Sequence, residues 1–132
     1  MRISNAPLPA APELVVRALG LADYLETWRA MQDFTERRGR ATRDEIWLLE
    51  HPPVYTLGLN APPREHAGLP GIPVVRTDRG GDISYHGPGQ LVAYVLMDLK
   101  RRGWGVKHLV TALEQSVIEL LRDRGIAGER RL

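Results

Sequence analysis

Arg79, Asp82, Ser84, Tyr85 and His86 fall in one short run, Arg79-Gly80-Gly81-Asp82-Ile83-Ser84-Tyr85-His86, which Gly87-Pro88-Gly89-Gln90 follows directly. A guanidinium, a carboxylate, a hydroxyl, a phenol and an imidazole can recognise charge, hydrogen bond and move protons. The paired glycines beside them let a backbone or a ligand come close. Close approach together with a few convergent polar groups is what a binding wall needs. The same run also fits a plain β-hairpin. In that case Ile83 and Tyr85 alternate against Ser84 and His86, Gly87-Pro88-Gly89 makes the tight turn, and the apolar run Leu91-Val92-Ala93-Tyr94-Val95-Leu96-Met97 returns. The residues alone leave both readings open.

Several chemistries are excluded or disfavoured. The chain contains no cysteine, so disulfides, thiolate metal sites and thiol nucleophiles within it are ruled out. The histidines at 51, 66, 86 and 108 lack the spacing of a metal site, and none is expected. Arg79-Gly80-Gly81 does not continue into a phosphate-binding fingerprint. Ser84 lies between Ile83 and Tyr85, not between the glycines of a nucleophile elbow. The net charge is +2, carried almost wholly by arginine, with Lys100 and Lys107 the only lysines. That is too weak a basic balance to predict nucleic-acid binding. With 43% hydrophobic and 26% charged residues the composition is that of a globular protein, and no run reaches the length of a membrane span. Residues 1–12 are rich in proline and alanine, lack the pattern of a secretory signal, and read as a flexible leader.

The elements that must position the central run follow from periodicity. Leu14-Val15-Val16 reads as a short first strand. Leu21, Tyr24, Leu25, Trp28 and Met31 recur at helical spacing to about Arg37, with Trp28 expected in the core and Gly39 ending the helix. Glu45 to Glu50 is a strand stopped by His51-Pro52-Pro53, where His51 reads as a loop residue, a ligand contact being the alternative. Val54 to Leu57 resumes as strand up to Gly58. Asn60 to Gly71 reads as a loop, and Val74 to Thr77 as a further strand. After a polar exit over Asp98 to Gly103, a second amphipathic helix carries Val106, Leu109, Val110, Leu113, Val117, Leu120 and Leu121. Gly125 stands at its C-cap, and Ile126 could begin another strand. The order predicts an α+β fold, a mixed and largely antiparallel sheet with helices packed on it. Residues 13–132 are expected to belong to one domain.

Three motifs, His51-Pro52-Pro53-Val54-Tyr55-Thr56-Leu57-Gly58, Thr77-Asp78-Arg79-Gly80-Gly81 and Tyr85-His86-Gly87-Pro88-Gly89-Gln90-Leu91, resemble in sequence and order the lipoyl/octanoyl transferase family of lipoate biosynthesis. The resemblance implies a fold shared with biotin- and lipoate-protein ligases, and a cytoplasmic acyltransferase that needs no cofactor. Its donor would be octanoyl-acyl carrier protein. Its acceptor would be a lysine of the lipoyl domains of 2-oxoacid dehydrogenases or of the glycine cleavage H protein. It also implies that Arg79, Gly80, Gly81, Asp82, Ile83, Ser84, Tyr85 and His86 form one wall of the octanoyl pocket. There the glycines would allow close approach, Tyr85 would give flat apolar surface, and His86 would lie near the reacting carbonyl. The family's reaction is thought to use a thioester on a cysteine activated by a lysine, both downstream of the second helix. This chain ends at Leu132 before either, so neither catalytic residue is assigned here. The expectation is a domain incomplete at its C-terminus, without turnover by itself. An ATP-dependent lipoate- or biotin-protein ligase shares the fold, but the Gly-Pro-Gly-Gln turn favours the transferase. A non-catalytic remnant that still binds acyl chains or carrier protein is the reading from another class.

Overall fold

The computed structural model describes residues 13–61 and 70–131. The expected leader and the middle of the expected loop after Asn60 lie outside them. The described residues form two compact units, one up to Leu96 and the other from Met97 onward.

The first unit is built from two mixed three-stranded sheets. In one, β2 (Glu45–Glu50) lies between β1 (Val15–Leu21), to which it runs parallel, and β6 (Val92–Leu96), to which it runs antiparallel. In the other, β3 (Val54–Leu57) lies between β4 (Val74–Arg76), parallel, and β5 (Ile83–His86), antiparallel. The expected α+β class with mixed pairing is therefore observed, but not the largely antiparallel character: each sheet joins one parallel and one antiparallel neighbour to its central strand. The hairpin reading is not observed: β5 pairs with β3 and β6 with β2, so Gly87-Pro88-Gly89 carries the chain from one sheet to the other. His51-Pro52-Pro53 makes the opposite crossing, from β2 to β3. Prolines suit both crossings, because each ladder has to end there and a missing N–H leaves no donor stranded.

β1 runs further than its sequence suggested. Leu21 closes the strand instead of opening the helix, and Gly20, at φ 65°, absorbs a bulge in the pairing with β2. The helix α1 (Tyr24–Arg37) begins at Asp23, whose Oδ1 accepts the Glu26 N–H at 3.0 Å. Its buried residues are Tyr24 and Thr27. Trp28, expected in the core, is only half-buried, and Trp47 on β2 takes the core position. Of the apolar positions the spacing picked out in α1, Tyr24 is buried and Trp28 and Met31 are half-buried, while Leu25 is exposed. Phe34 packs edge-on against Trp47, with ring centroids 6.1 Å apart.

Two ion pairs tie this layer together. Arg17 grips Glu45 through two bonds of 2.6 and 2.7 Å, and Trp47 Nε1 donates to the same carboxylate at 2.6 Å. These contacts hold the Glu45 carboxyl below its ordinary pKa, the Arg17 hydrogen bonds being the main cause. Asp44, only 1% exposed, accepts from Arg38 Nη2 at 2.8 Å and joins the end of α1 to the start of β2. Replacing Asp44 with alanine is expected to lower stability by about 1.5–3 kcal/mol, the usual worth of a hydrogen bond to a charged group. Urea denaturation would measure it.

In the second unit, the stretch read as a polar exit contains a short helix, α2 (Leu99–Arg102). It is capped by Asp98 Oδ1 on the Arg101 N–H at 3.0 Å and closed by Gly103 at φ 66°. The long helix α3 (Val106–Asp123) matches the predicted amphipathic span. It ends as expected at Gly125, whose φ of 74° allows the Ile126 N–H to reach the Leu121 carbonyl at 2.9 Å. No strand begins at Ile126 among the described residues. The tail instead turns back, and Arg130 bonds Glu114 and Gln115 on α3.

Candidate functional site

The two Pro-containing crossings run side by side. Val54 pairs with His86 at the end of the β3–β5 ladder, and the Gly89 N–H donates to Glu50 Oε2 at 2.7 Å, pinning the corner to the end of β2. At this junction four rings gather. His51 lies 5.1 Å from Tyr24, 5.8 Å from Tyr94 and 5.9 Å from His86, while Tyr24 and His86 stack at 6.2 Å with planes 10° apart.

His51 lies in the loop between β2 and β3, as its place before Pro-Pro suggested, and is completely buried there. Its Nδ1 is 2.7 Å from the Ala22 carbonyl, which can only accept, so Nδ1 carries the hydrogen. Nε2, at 2.9 Å from the Tyr94 hydroxyl, then accepts from it. Burial holds the imidazole below its ordinary pKa against the pull of the Ala22 carbonyl, and His86 nearby acts in the same direction as burial. Burial likewise raises the Tyr94 phenol, so it stays protonated and donating.

A pH effect follows with a definite sign. Between the depressed pKa of folded His51 and the ordinary value of 6.5, the unfolded chain binds more protons than the folded one. This contribution to stability is complete above the ordinary value and is lost as pH falls through the folded pKa. Urea midpoints measured on either side of that window should show the loss in the natural chain and not in His51→Phe.

The glycine-rich segment before β5 is knitted to the end of β3. The N–H groups of Gly58, Leu59 and Asn60 donate to the carbonyls of Asp82, Arg79 and Gly81 at 2.9, 2.9 and 3.1 Å. The Arg79 guanidinium lies inside this loop. Its Nη2 donates to the Thr56 carbonyl (2.7 Å), the Thr56 hydroxyl (2.9 Å) and the Asp82 carbonyl (2.9 Å), and its Nη1 donates to the Gly80 carbonyl (2.8 Å). Arg79 thus staples the loop. Gly81 adopts φ 86°, which a side chain would resist. The glycine at the closest approach is a different one, Gly58. A Cβ there would lie 2.8 Å from the Gly80 carbonyl oxygen and nearer still to that of Gly81.

β5 divides the remaining expected site residues between two faces. Ile83 and Tyr85 are exposed, and Tyr85 leans on Tyr55 at 5.3 Å; Ser84 and His86 are half-buried on the other side. Tyr85 and His86 therefore do not share a face. Beside the corner lies an apolar concavity of about 410 Å³ lined by Leu21, Leu48, Leu49, Pro88 and Leu91, among others. It borders the corner, and Arg79 to His86 are not among its lining residues.

The rings of Tyr24 and Tyr94 were not singled out from the sequence as site residues, and His51 stood only as an alternative ligand contact. Tyr24 looked like one apolar position in a helix, and Tyr94 like part of the most apolar strand. The available signal was the hydroxyl. A buried phenol needs a hydrogen-bond partner, and two tyrosines in core positions of a chain with few aromatics point to such a partner. Among the described residues no cluster of potential metal ligands occurs, and no helix is long and apolar enough to cross a membrane.

Residues 23–131 match the lipoyl protein ligase A/B catalytic domain family. The chain is 59% identical over 117 residues to a protein named octanoyltransferase from Methylococcus capsulatus, covering 89% of this chain and 56% of that protein. It is 58% identical over 128 residues to an octanoyltransferase of Aromatoleum aromaticum (96% and 55%), and 60% identical over 121 residues to one of Thiobacillus denitrificans (91% and 55%). The chain thus spans about half the length of the curated relatives it matches.

Proposed function

The chain belongs to the lipoyl protein ligase A/B catalytic domain family, and on that premise we propose that it supplies the acyl-cradling part of a cytoplasmic octanoyltransferase. The reaction is transfer of an octanoyl group from acyl carrier protein to a lysine of a lipoyl domain, in 2-oxoacid dehydrogenases or in the glycine cleavage H protein. The observation that carries the reading is the identity of 58–60% to proteins named octanoyltransferase, over nearly all of this chain. The junction supports it: a stapled glycine loop, an exposed apolar face on β5, and a half-buried imidazole at the end of that strand.

In this proposal Arg79, Gly80, Gly81, Asp82, Ile83, Ser84, Tyr85 and His86 bound the acyl site, Ile83 and Tyr85 from one face of β5 and Ser84 and His86 from the other. Arg79 and the glycines act by holding the loop's shape. Ile83 and Tyr85 offer apolar surface, and His86 stands at the polar end. A thiolate would be the competent nucleophile for a thioester intermediate, and this chain contains no cysteine. Alone it is expected to bind octanoyl-acyl carrier protein and not to turn it over.

The test is to incubate the chain with octanoyl-acyl carrier protein and an unmodified lipoyl domain, measuring binding and amide formation separately. Binding without amide supports the proposal, and the absence of binding refutes the acyl-site assignment. ATP-dependent formation of an acyl-adenylate would move the assignment to the ligase branch of the family.

A further inference from the structure

The two imidazoles at the junction differ in what remains of their hydrogen-bonding capacity. His51 is saturated, Nδ1–H on the Ala22 carbonyl and Nε2 on the Tyr94 hydroxyl, and it is fully buried. It orients the cluster and cannot exchange a proton with a ligand without breaking one of those bonds. His86 is engaged on one nitrogen. Its Nδ1 lies 2.6 Å from Gln90 Oε1.

The far end of the same glutamine sets which amide atom faces the ring. Gln90 Nε2 is 3.2 Å from the Tyr85 carbonyl, which can only accept, so the NH₂ points there and the oxygen faces His86. That oxygen also only accepts, so His86 Nδ1 carries the hydrogen, and in the neutral ring Nε2 holds the lone pair. Among the described residues no hydrogen bond reaches Nε2. Stacking on Tyr24 holds the ring plane. The turn that carries Gln90 is closed by its own N–H on the Gly87 carbonyl at 3.1 Å and pinned by Glu50 on the Gly89 N–H.

We propose that Gln90 is a positioning residue that keeps His86 in the Nδ1–H form, and that His86 Nε2 accepts the proton of the acceptor lysine's amine during acyl transfer. This rests on the octanoyltransferase reading above. The amine nitrogen attacks the carbonyl carbon of the octanoyl thioester; the C–N bond forms and the C–S bond breaks. The proton lost by nitrogen passes to Nε2, and the imidazolium returns it to the departing thiolate, so atoms and charge balance without a further reactant. A solvated neutral histidine side chain prefers the opposite, Nε2–H tautomer. Without Gln90, Nε2 would more often be a donor and could not take that proton.

The tautomer can be read without any substrate. Long-range ¹H–¹⁵N spectra of the chain, recorded well above imidazole titration, are expected to show His86 with protonated Nδ1 and unprotonated Nε2. Gln90→Leu should shift His86 toward the Nε2–H form and leave His51 unchanged. Gln90→Glu, which keeps an acceptor in place, should restore the Nδ1–H form. Protonated Nε2 in the natural chain, or a tautomer indifferent to Gln90→Leu, would overturn the positioning role whatever the protein's activity. Titration with N-butyloctanamide, a mimic of the amide product, should move the His86 Nε2 resonance and leave both His51 nitrogens in place. Binding of the amide with no response at Nε2 would overturn the proton-acceptor role alone. No binding of the amide or of S-octanoyl pantetheine would overturn the acyl-site reading and this proposal with it.

Discussion

Replacing Gly58 with alanine is expected to disrupt the candidate site more than any other single methyl group. Gly58 does not adopt a left-handed conformation, so the expected effect comes from space and not from backbone preference. The added Cβ meets main-chain atoms of Gly80 and Gly81, and main chain cannot rotate aside as a side chain can. Either β3 bends or the loop lifts. Lifting breaks the bonds from Gly58, Leu59 and Asn60 to Asp82, Arg79 and Gly81, and strains the Arg79 staple on Thr56. Overpacking of this kind usually lowers stability by about 1–3 kcal/mol. Displacing the loop should weaken octanoyl binding by on the order of tenfold, equivalent to about 1.4 kcal/mol. Gly39→Ala is the control, because Gly39 lies outside the candidate site and a Cβ there meets nothing within 4 Å. Denaturation midpoints and binding isotherms for the two variants should separate clearly; equal behaviour would contradict the packing account.

The second large effect is expected at His51. His51→Ala removes a completely buried ring and leaves both the Ala22 carbonyl and the Tyr94 hydroxyl without their partner. A cavity and two unsatisfied polar groups together are expected to lower stability by about 3–5 kcal/mol. His51→Phe keeps most of the volume and loses only the hydrogen bonds, so its loss should be smaller, about 2–3 kcal/mol. The expected order in urea is natural chain, then His51→Phe, then His51→Ala. If phenylalanine proved as stable as histidine, the two bonds would contribute little and the ring would be a spacer only.

Much of the scaffold could be read from the sequence because local signals and tertiary demands agreed. β2, β3 and β5 begin and end where the alternation of side chains and the Pro and Gly stops predicted, and Gly125 ends α3 as its position required. The errors lie where partners distant in sequence decide. The Gly87-Pro88-Gly89 turn looks locally like any hairpin corner. Only the pairing of β5 with β3 and of β6 with β2 makes it a passage between sheets. Likewise, apolar spacing in α1 pointed to both Tyr24 and Trp28, whereas Tyr24 is buried together with Thr27 and Trp28 only half-buried. A lone histidine before two prolines carries no local sign of burial, and its environment comes from Ala22 and Tyr94, far away in the chain. For the site, the run Arg79 to His86 was conspicuous because its residue types are unusual together. The part played by each was less so: Arg79 faces its own loop, and the steric demand falls on Gly58.

The most direct test of the acyl-cradle assignment is to map S-octanoyl pantetheine onto the ¹⁵N-labelled chain by amide and side-chain resonance shifts. The account predicts that the shifts concentrate on Arg79 to His86 and on the His86 ring, with the Ile83 and Tyr85 side chains sensing the aliphatic tail. Shifts confined to the apolar concavity of Leu21, Leu48 and Leu91, with the glycine loop and His86 unmoved, would contradict it.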